Sequence, residues 1–264
     1  MSKKPKIVFL DIETLMIPKE TLKRIPSYGA YPGRGFNGTV SSILCFGYKF
    51  RGDKQVKCLN AWDYKGFQKD PNDDKELCKA IYEILKDADG FCTQNGRRFD
   101  LPVINTRLAK HGLPAISKTI PHIDTKNVFK ANYSAYDNKL NTIAETFGCE
   151  TKLENGGWDL WMDMYENKQK SKDLMQKYCK QDVNVLEQVF NKMLPVMKGL
   201  PNYNLFTTSS ARVCPNCGSS KLHIRDTRQL KTGLYQRYSC QSCGTTSRDT
   251  TPIKKKKIDL VSDV

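Results

Sequence analysis

The chain has 264 residues, with 43 Lys and Arg against 28 Asp and Glu and a formal net charge of +15. That length suffices for one large domain or two modest ones, and 39% hydrophobic with 27% charged residues is ordinary globular composition, neither disordered nor membrane-embedded. The basic surplus points to a polyanionic partner, and it is uneven: residues 199–264 carry eleven basic and four acidic residues. The apolar run Ile7-Val8-Phe9-Leu10 stops at Asp11, too short for a signal-peptide core, and nothing approaches the ~20 apolar residues of a membrane span. A cytoplasmic protein that is not secreted and has no membrane partner is expected.

In chain order, residues 6–10 read as a buried strand, short, apolar and β-branched. A loop follows in which Gly29, Pro32, Gly33, Gly35 and Gly38 crowd together. Residues 42–50 and 55–62 are strand candidates joined by a hairpin turn at Arg51-Gly52-Asp53-Lys54. Residues 73–87 have helical spacing, 90–93 form a short strand, 101–111 a helix closed by Gly112 and Pro114, and 122–125 a short strand. A helix over 141–147 stops at Gly148, and a long one covers 172–198. This order predicts an α/β fold on a mixed sheet flanked by helices. Residues 1–198 are expected to form the main domain, 199–210 a linker, 211–250 a small second domain and 251–264 a basic tail.

Asp11 and Glu13, at i, i+2 just past the first strand, point to one face. Side by side they repel each other unless a cation intervenes, and Mg²⁺ prefers such hard oxygen ligands; alone, the pair also reads as two solvated acids at a strand end. Asp100 opens a helix, where negative charge is favoured, behind Asn95-Gly96-Arg97-Arg98-Phe99; alone, this is an ordinary helix start. Tyr178 and Asp182 lie at i, i+4 on one helical face; alone, such a pair is more often an accident of packing and surface than a site.

Together, Phe9-Leu10-Asp11-Ile12-Glu13-Thr14, then Asn95-x-x-x-Phe99-Asp100, then Tyr178-x-x-x-Asp182 closely resemble the three motifs of DEDD-type (DnaQ-like) 3′–5′ exonucleases of the RNase H-like superfamily, nearest the proofreading domains of family-B DNA polymerases. The third motif has the tyrosine form, since the histidine subclass would place His at 177, where this chain has Lys177. His122 and Asp124 do not match the histidine motif and read as structural. The resemblance implies that Asp11, Glu13, Asp100 and Asp182 hold two Mg²⁺ or Mn²⁺ ions, with Asp11 bridging them. It also implies that Tyr178 orients the attacking water, its ordinary pKa near ~10 making it a poor base. Asn95, Arg97 and Arg98 are candidate substrate contacts. Tyr28, Tyr31, Arg34 and Phe36 in the Gly-rich loop are candidates for stacking on a single strand, whereas Trp158 and Trp161 read as core.

Ten cysteines divide into two sets. Cys45, Cys58, Cys78, Cys92, Cys149 and Cys179 are scattered singly, as small core residues of a reduced protein are. Cys214-x-x-Cys217 and Cys240-x-x-Cys243 have the spacing of a four-thiolate zinc site, with two disulfides or redox thiols as the other reading. This segment resembles a zinc ribbon holding one structural Zn²⁺. Lys221, Arg225, Arg228, Lys231, Arg237 and Arg248, interleaved with Tyr235 and Tyr238, suit nucleic-acid binding, though ribbons also dock proteins. Lys254–Lys257 reads as a flexible tail attracting phosphate. The expectation is a metal-dependent 3′–5′ exonuclease on single-stranded DNA. RNA trimming is the close rival, an idle nucleic-acid-binding protein another, and a replication or repair partner a further possibility.

Overall fold

The computed structural model describes residues 4–15, 41–154, 157–208 and 211–255. The Gly-rich loop, with Tyr28, Tyr31, Arg34 and Phe36, lies outside these, as do Lys256 and Lys257 and the side chain of Trp158. The chain divides into two compact units, one of Lys6–Phe190 and one of Met1–Pro5 with Asn191–Val264.

The larger unit is built on a five-stranded mixed sheet. Its strands are β1 (Ile7–Thr14), β2 (Ile43–Phe50), β3 (Lys57–Asn60), β4 (Gly90–Thr93) and β5 (His122–Asp124), in the order β3-β2-β1-β4-β5. The hairpin pairs β1–β2 and β2–β3 are antiparallel, while β1–β4 and β4–β5 are parallel. β1 runs beyond the expected residues 6–10, because seven of its residues pair with β2 across the sheet; Asp11 and Glu13 therefore lie within the strand, not past it. Among the described residues seven α-helices accompany the sheet: α1 (Lys65–Lys69), α2 (Lys75–Leu85), α3 (Asp100–Lys110), α4 (Thr125–Asn132), α5 (Leu140–Thr146), α6 (Trp158–Tyr165) and α7 (Gln169–Met193).

Alternation along β1 explains the layering. Val8, Leu10 and Ile12 join one buried cluster with Leu77, Ile81 and Leu85 of α2 and Ile104 and Leu108 of α3. Phe9 instead meets Phe190 of α7 edge to face, with ring centroids 5.0 Å apart. Phe9, Asp11 and Glu13 alternate together, so α7 lies on their side of the sheet. The approach of α7 to β2 is close: a Cβ on Gly47 would stand 2.8 Å from Cys179 Sγ and 3.1 Å from the Cys179 carbonyl oxygen.

The smaller unit holds β6 (Leu222–Leu230), β7 (Gly233–Cys240), β8 (Thr246–Arg248) and β9 (Lys254–Lys255), all antiparallel around β7. Lys254 and Lys255, expected in a flexible tail, pair with Leu234 and Gly233 instead. Residues 199–208 fold into this unit: Tyr203 N donates to the Pro215 carbonyl (3.0 Å), and Asn204 Nδ2 to that of Val213 (2.9 Å). No helix among the described residues is long and apolar enough to cross a membrane.

Candidate active site and metal centres

Asp11 and Glu13 of β1 meet Asp182 of α7, each offering a carboxylate oxygen, all within 4.8 Å of one another. Asp100, the first residue of α3, is buried and accepts a hydrogen bond from the Ile12 amide (3.2 Å), which ties it to β1 at the residue between Asp11 and Glu13. Asp11 Oδ2 and Asp182 Oδ1 are buried with no hydrogen-bond partner. Unpartnered buried carboxylate oxygens are costly, and a hard divalent cation is the group that satisfies them. The donor set therefore fits such a metal.

The protonation chemistry agrees. Burial, then the charges of Asp182, Asp100 and Glu13, pushes Asp11 well above the ordinary carboxylate range. Burial and the Asp182 charge raise Glu13 to about 8, and burial raises Asp100 to about 7. Burial raises Asp182 as well, against the ammonium of Lys152. Tyr178 is pushed up to about 12 by burial and the Asp182 charge, so it remains a phenol at neutral pH.

Lys152 escaped sequence analysis, since no spacing links it to any motif. It follows α5 on a loop whose position is fixed by the Lys152 amide donating to Asn141 Oδ1 (2.8 Å). Its ammonium pairs with Asp182 Oδ2, donates to Tyr178 Oη (3.0 Å), and lies 5.0 Å from the centre of the Tyr178 ring.

The loop before α3 is organised by Asp124, which accepts from the amides of Asn95 (3.0 Å), Arg97 (3.2 Å) and Lys126 (3.2 Å). Asn95 has a positive φ of 65°, a conformation asparagine tolerates, and its Oδ1 accepts from Lys126 Nζ (3.2 Å). Asn95 therefore shapes the turn that presents Asp100. Arg97 and Arg98 are both exposed, with the Arg97 guanidinium donating to the His122 carbonyl. His122 shares a 2.7 Å hydrogen bond with Thr93 Oγ1, and burial followed by the Arg97 charge lowers it to about 4. Trp161 is buried, its Nε1 donating to the Thr14 carbonyl at the end of β1 (3.2 Å).

In the smaller unit Cys214, Cys217, Cys240 and Cys243 converge, their sulfurs within 4.8 Å of one another. The Cys214–Cys243 and Cys217–Cys240 sulfurs are 3.6 Å apart. This is far beyond the ~2.05 Å of a disulfide and near the spacing of thiolates that share a tetrahedral ion at ~2.3 Å. The two knuckles match: Gly218 N donates to the Cys214 carbonyl (2.8 Å) and Gly244 N to that of Cys240 (3.0 Å), with both glycines at positive φ. Arg225, Arg228, Arg237 and Arg248 line an open concavity of about 380 Å³ on the sheet. Arg237 is paired with Asp226, and Arg248 lies over the Tyr235 ring at 4.6 Å. Tyr235 is buried and Tyr238 donates to Asp249 Oδ2 (2.9 Å), so the tyrosines support the sheet.

Fold and site together define a class: mixed α/β proteins in which a carboxylate cluster lies between the central sheet strand and a long helix. The family model of the RNase_H superfamily (RNase_H_2) matches residues 33–194, and the chain belongs to that superfamily. The match includes Asp100, Tyr178 and Asp182 and begins downstream of Asp11 and Glu13. Among solved structures, a family B DNA polymerase from the hyperthermophilic archaeon Pyrobaculum calidifontis is similar, with a TM-score of 0.53 and 15% identity over 86% of this chain. The chain spans 31% of that polymerase, and the likeness is one of fold. No curated protein matches the sequence. The fold is that of RNase H-like nucleases.

Proposed function

We propose that the protein is a metal-dependent 3′–5′ exonuclease of the tyrosine DEDD type, acting on single-stranded DNA. The observation that carries this reading is the convergence of Asp11, Glu13 and Asp182, with Asp100 alongside, leaving two buried carboxylate oxygens unpartnered. These four acids would hold two Mg²⁺ or Mn²⁺ ions. When bound, the ions acidify the attacking water and neutralise charge on the phosphodiester and the departing 3′ oxygen.

The protein's own groups do the positioning. The Tyr178 hydroxyl, held by Lys152, orients the water. Its high pKa fits it for hydrogen bonding and not for accepting the proton. Lys152 offsets part of the burial cost of the Asp182 carboxylate, and the exposed Arg98 is a candidate contact for backbone phosphate. In the smaller unit the four cysteines hold one structural Zn²⁺, and the arginine-lined concavity binds the strand. The polymerase of like fold supports DNA as the polymer and a replication or repair setting.

The test is digestion of matched DNA and RNA oligonucleotides, each labelled at the 5′ end in one reaction and at the 3′ end in another, with Mg²⁺ or Mn²⁺. We expect a ladder of shortened 5′-labelled DNA, immediate release of the 3′ label as mononucleotide, and slower loss of RNA. Faster trimming of RNA would make the protein an exoribonuclease. Binding of both polymers without cleavage would make it a nucleic-acid-binding protein.

A further inference from the structure

Three of the cysteines scattered along the sequence come together. Cys45 on β2, Cys58 on β3 and Cys179 on α7 place their sulfurs within 4.8 Å of one another. Cys45 and Cys179 are fully buried, while Cys58 is partly exposed and gives the cluster access to solvent. Gly47 makes the meeting possible, since any side chain there would strike Cys179.

The register bears on whether Cys45 and Cys58 can pair directly. Cys45 pairs with Asn60, and Cys58 pairs with Gly47, so the two cysteines are diagonal neighbours on adjacent antiparallel strands. Diagonal neighbours lie roughly 7–8 Å apart at Cα, beyond the ~7 Å that a disulfide spans without backbone movement. A cation bonded to each sulfur at ~2.3 Å joins all three without that movement. Asn60 Oδ1, 3.3 Å from Cys58 Sγ, is an oxygen donor at the same edge. Thiolates select soft ions such as Zn²⁺ over Mg²⁺, so this cluster does not compete with the carboxylates for a hard cation.

We propose that Cys45, Cys58 and Cys179 form a thiolate site for one soft cation of the zinc class, separate from both the carboxylate cluster and the four-cysteine knuckles. Glu13 pairs with Cys45 across β1 and β2, and Cys179 follows Tyr178. The cation thus ties together two strands and the helix beside the carboxylates. The site does not depend on the protein being a nuclease.

The experiment counts Cd²⁺ on the full chain, stripped of metal, reloaded in a large excess of Mg²⁺ that keeps the carboxylates filled, and freed of unbound ion. Two Cd²⁺ per chain are expected for the native protein, one for Cys58→Ser and one for a Cys214→Ser/Cys217→Ser variant. A native count of one that survives Cys58→Ser and disappears in the Cys214→Ser/Cys217→Ser variant would overturn the proposal. A second measurement avoids variants: alkylation of Cys58 in the native chain, mapped by mass spectrometry. Cd²⁺ should protect Cys58 at least several-fold and Mg²⁺ should not. Equal alkylation with and without Cd²⁺ would also overturn it.

Discussion

Each carboxylate of the cluster is individually unfavourable, and the predictions at residue scale follow from that. Folded pKa values of about 8 for Glu13 and about 7 for Asp100 lie above the ordinary ~4. The stability these groups contribute is therefore full below about pH 4 and is lost as pH rises through 7 and 8. Metal-free protein should melt at lower temperature at pH 9 than at pH 6, and Mn²⁺ should raise the melting temperature more at pH 9, because it binds the deprotonated acids. A Mn²⁺-induced shift independent of pH, measured by scanning calorimetry, would count against the cluster as the binding site. Lys152 lowers the pKa of Asp11, Glu13, Asp100 and Asp182. Lys152→Ala should accordingly slow trimming and move the acid limb of the pH–rate profile to higher pH; an unmoved limb would leave Lys152 no electrostatic part. Tyr178→Phe keeps the ring and removes the hydroxyl. Its rate should fall on the order of 10²-fold or less, at the low end of the 10²–10⁴ expected of a proton-transferring group.

Among elements, the contact of α7 with β2 carries the site. Gly47→Ala puts a methyl 2.8 Å from Cys179 Sγ, so the helix bearing Tyr178 and Asp182 must shift. A stability loss of about 1–3 kcal/mol is expected from overpacking, accompanied by loss of trimming; unchanged activity would mean that the helix position tolerates movement. A second constraint ties α3 to the start of α2. Buried Asp74 takes two hydrogen bonds from Arg107 (2.7 and 2.6 Å), one from the Ile43 amide (2.8 Å) and shares one with His111 (2.6 Å). Burial pushes Asp74 up, yet these partners hold it below the ordinary carboxylate value. Arg107→Ala should cost about 3–5 kcal/mol in a denaturant titration, because it strands a buried charge.

These elements show what the sequence made legible. Short apolar runs located β1, β2 and β4, which are buried on both faces, and helical spacing located α2, α3, α5 and α7. α1, α4 and α6, of five to eight residues each, were missed: unlike the equally short α5, none is followed by a glycine stop such as Gly148. The motif acids were visible through their spacing within single elements. Lys152, Asp124 and the Asp74–Arg107 pair were not, since their partners come from distant segments and local spacing carries no record of them.

For the whole molecule, charge and modular construction matter together. The arginine-lined face of the smaller unit and the net charge of +15 call for strand binding that weakens steeply with salt. Replacing Arg228 with Ala should reduce the slope of log affinity against log salt by about 0.7, the value for one phosphate contact on a single strand. An unchanged slope in fluorescence anisotropy would remove that residue from the interface. The carboxylate cluster is proposed to be a metal-dependent nuclease centre. This role is tested most directly by following 5′-labelled single-stranded DNA with Mn²⁺, with chelator, and with Asp11→Asn. Stepwise shortening should stop in chelator and fall more than about 100-fold in the folded variant, a larger loss than removing a group behind the metal ligands would cause. Shortening that persists at the native rate in Asp11→Asn would contradict that role.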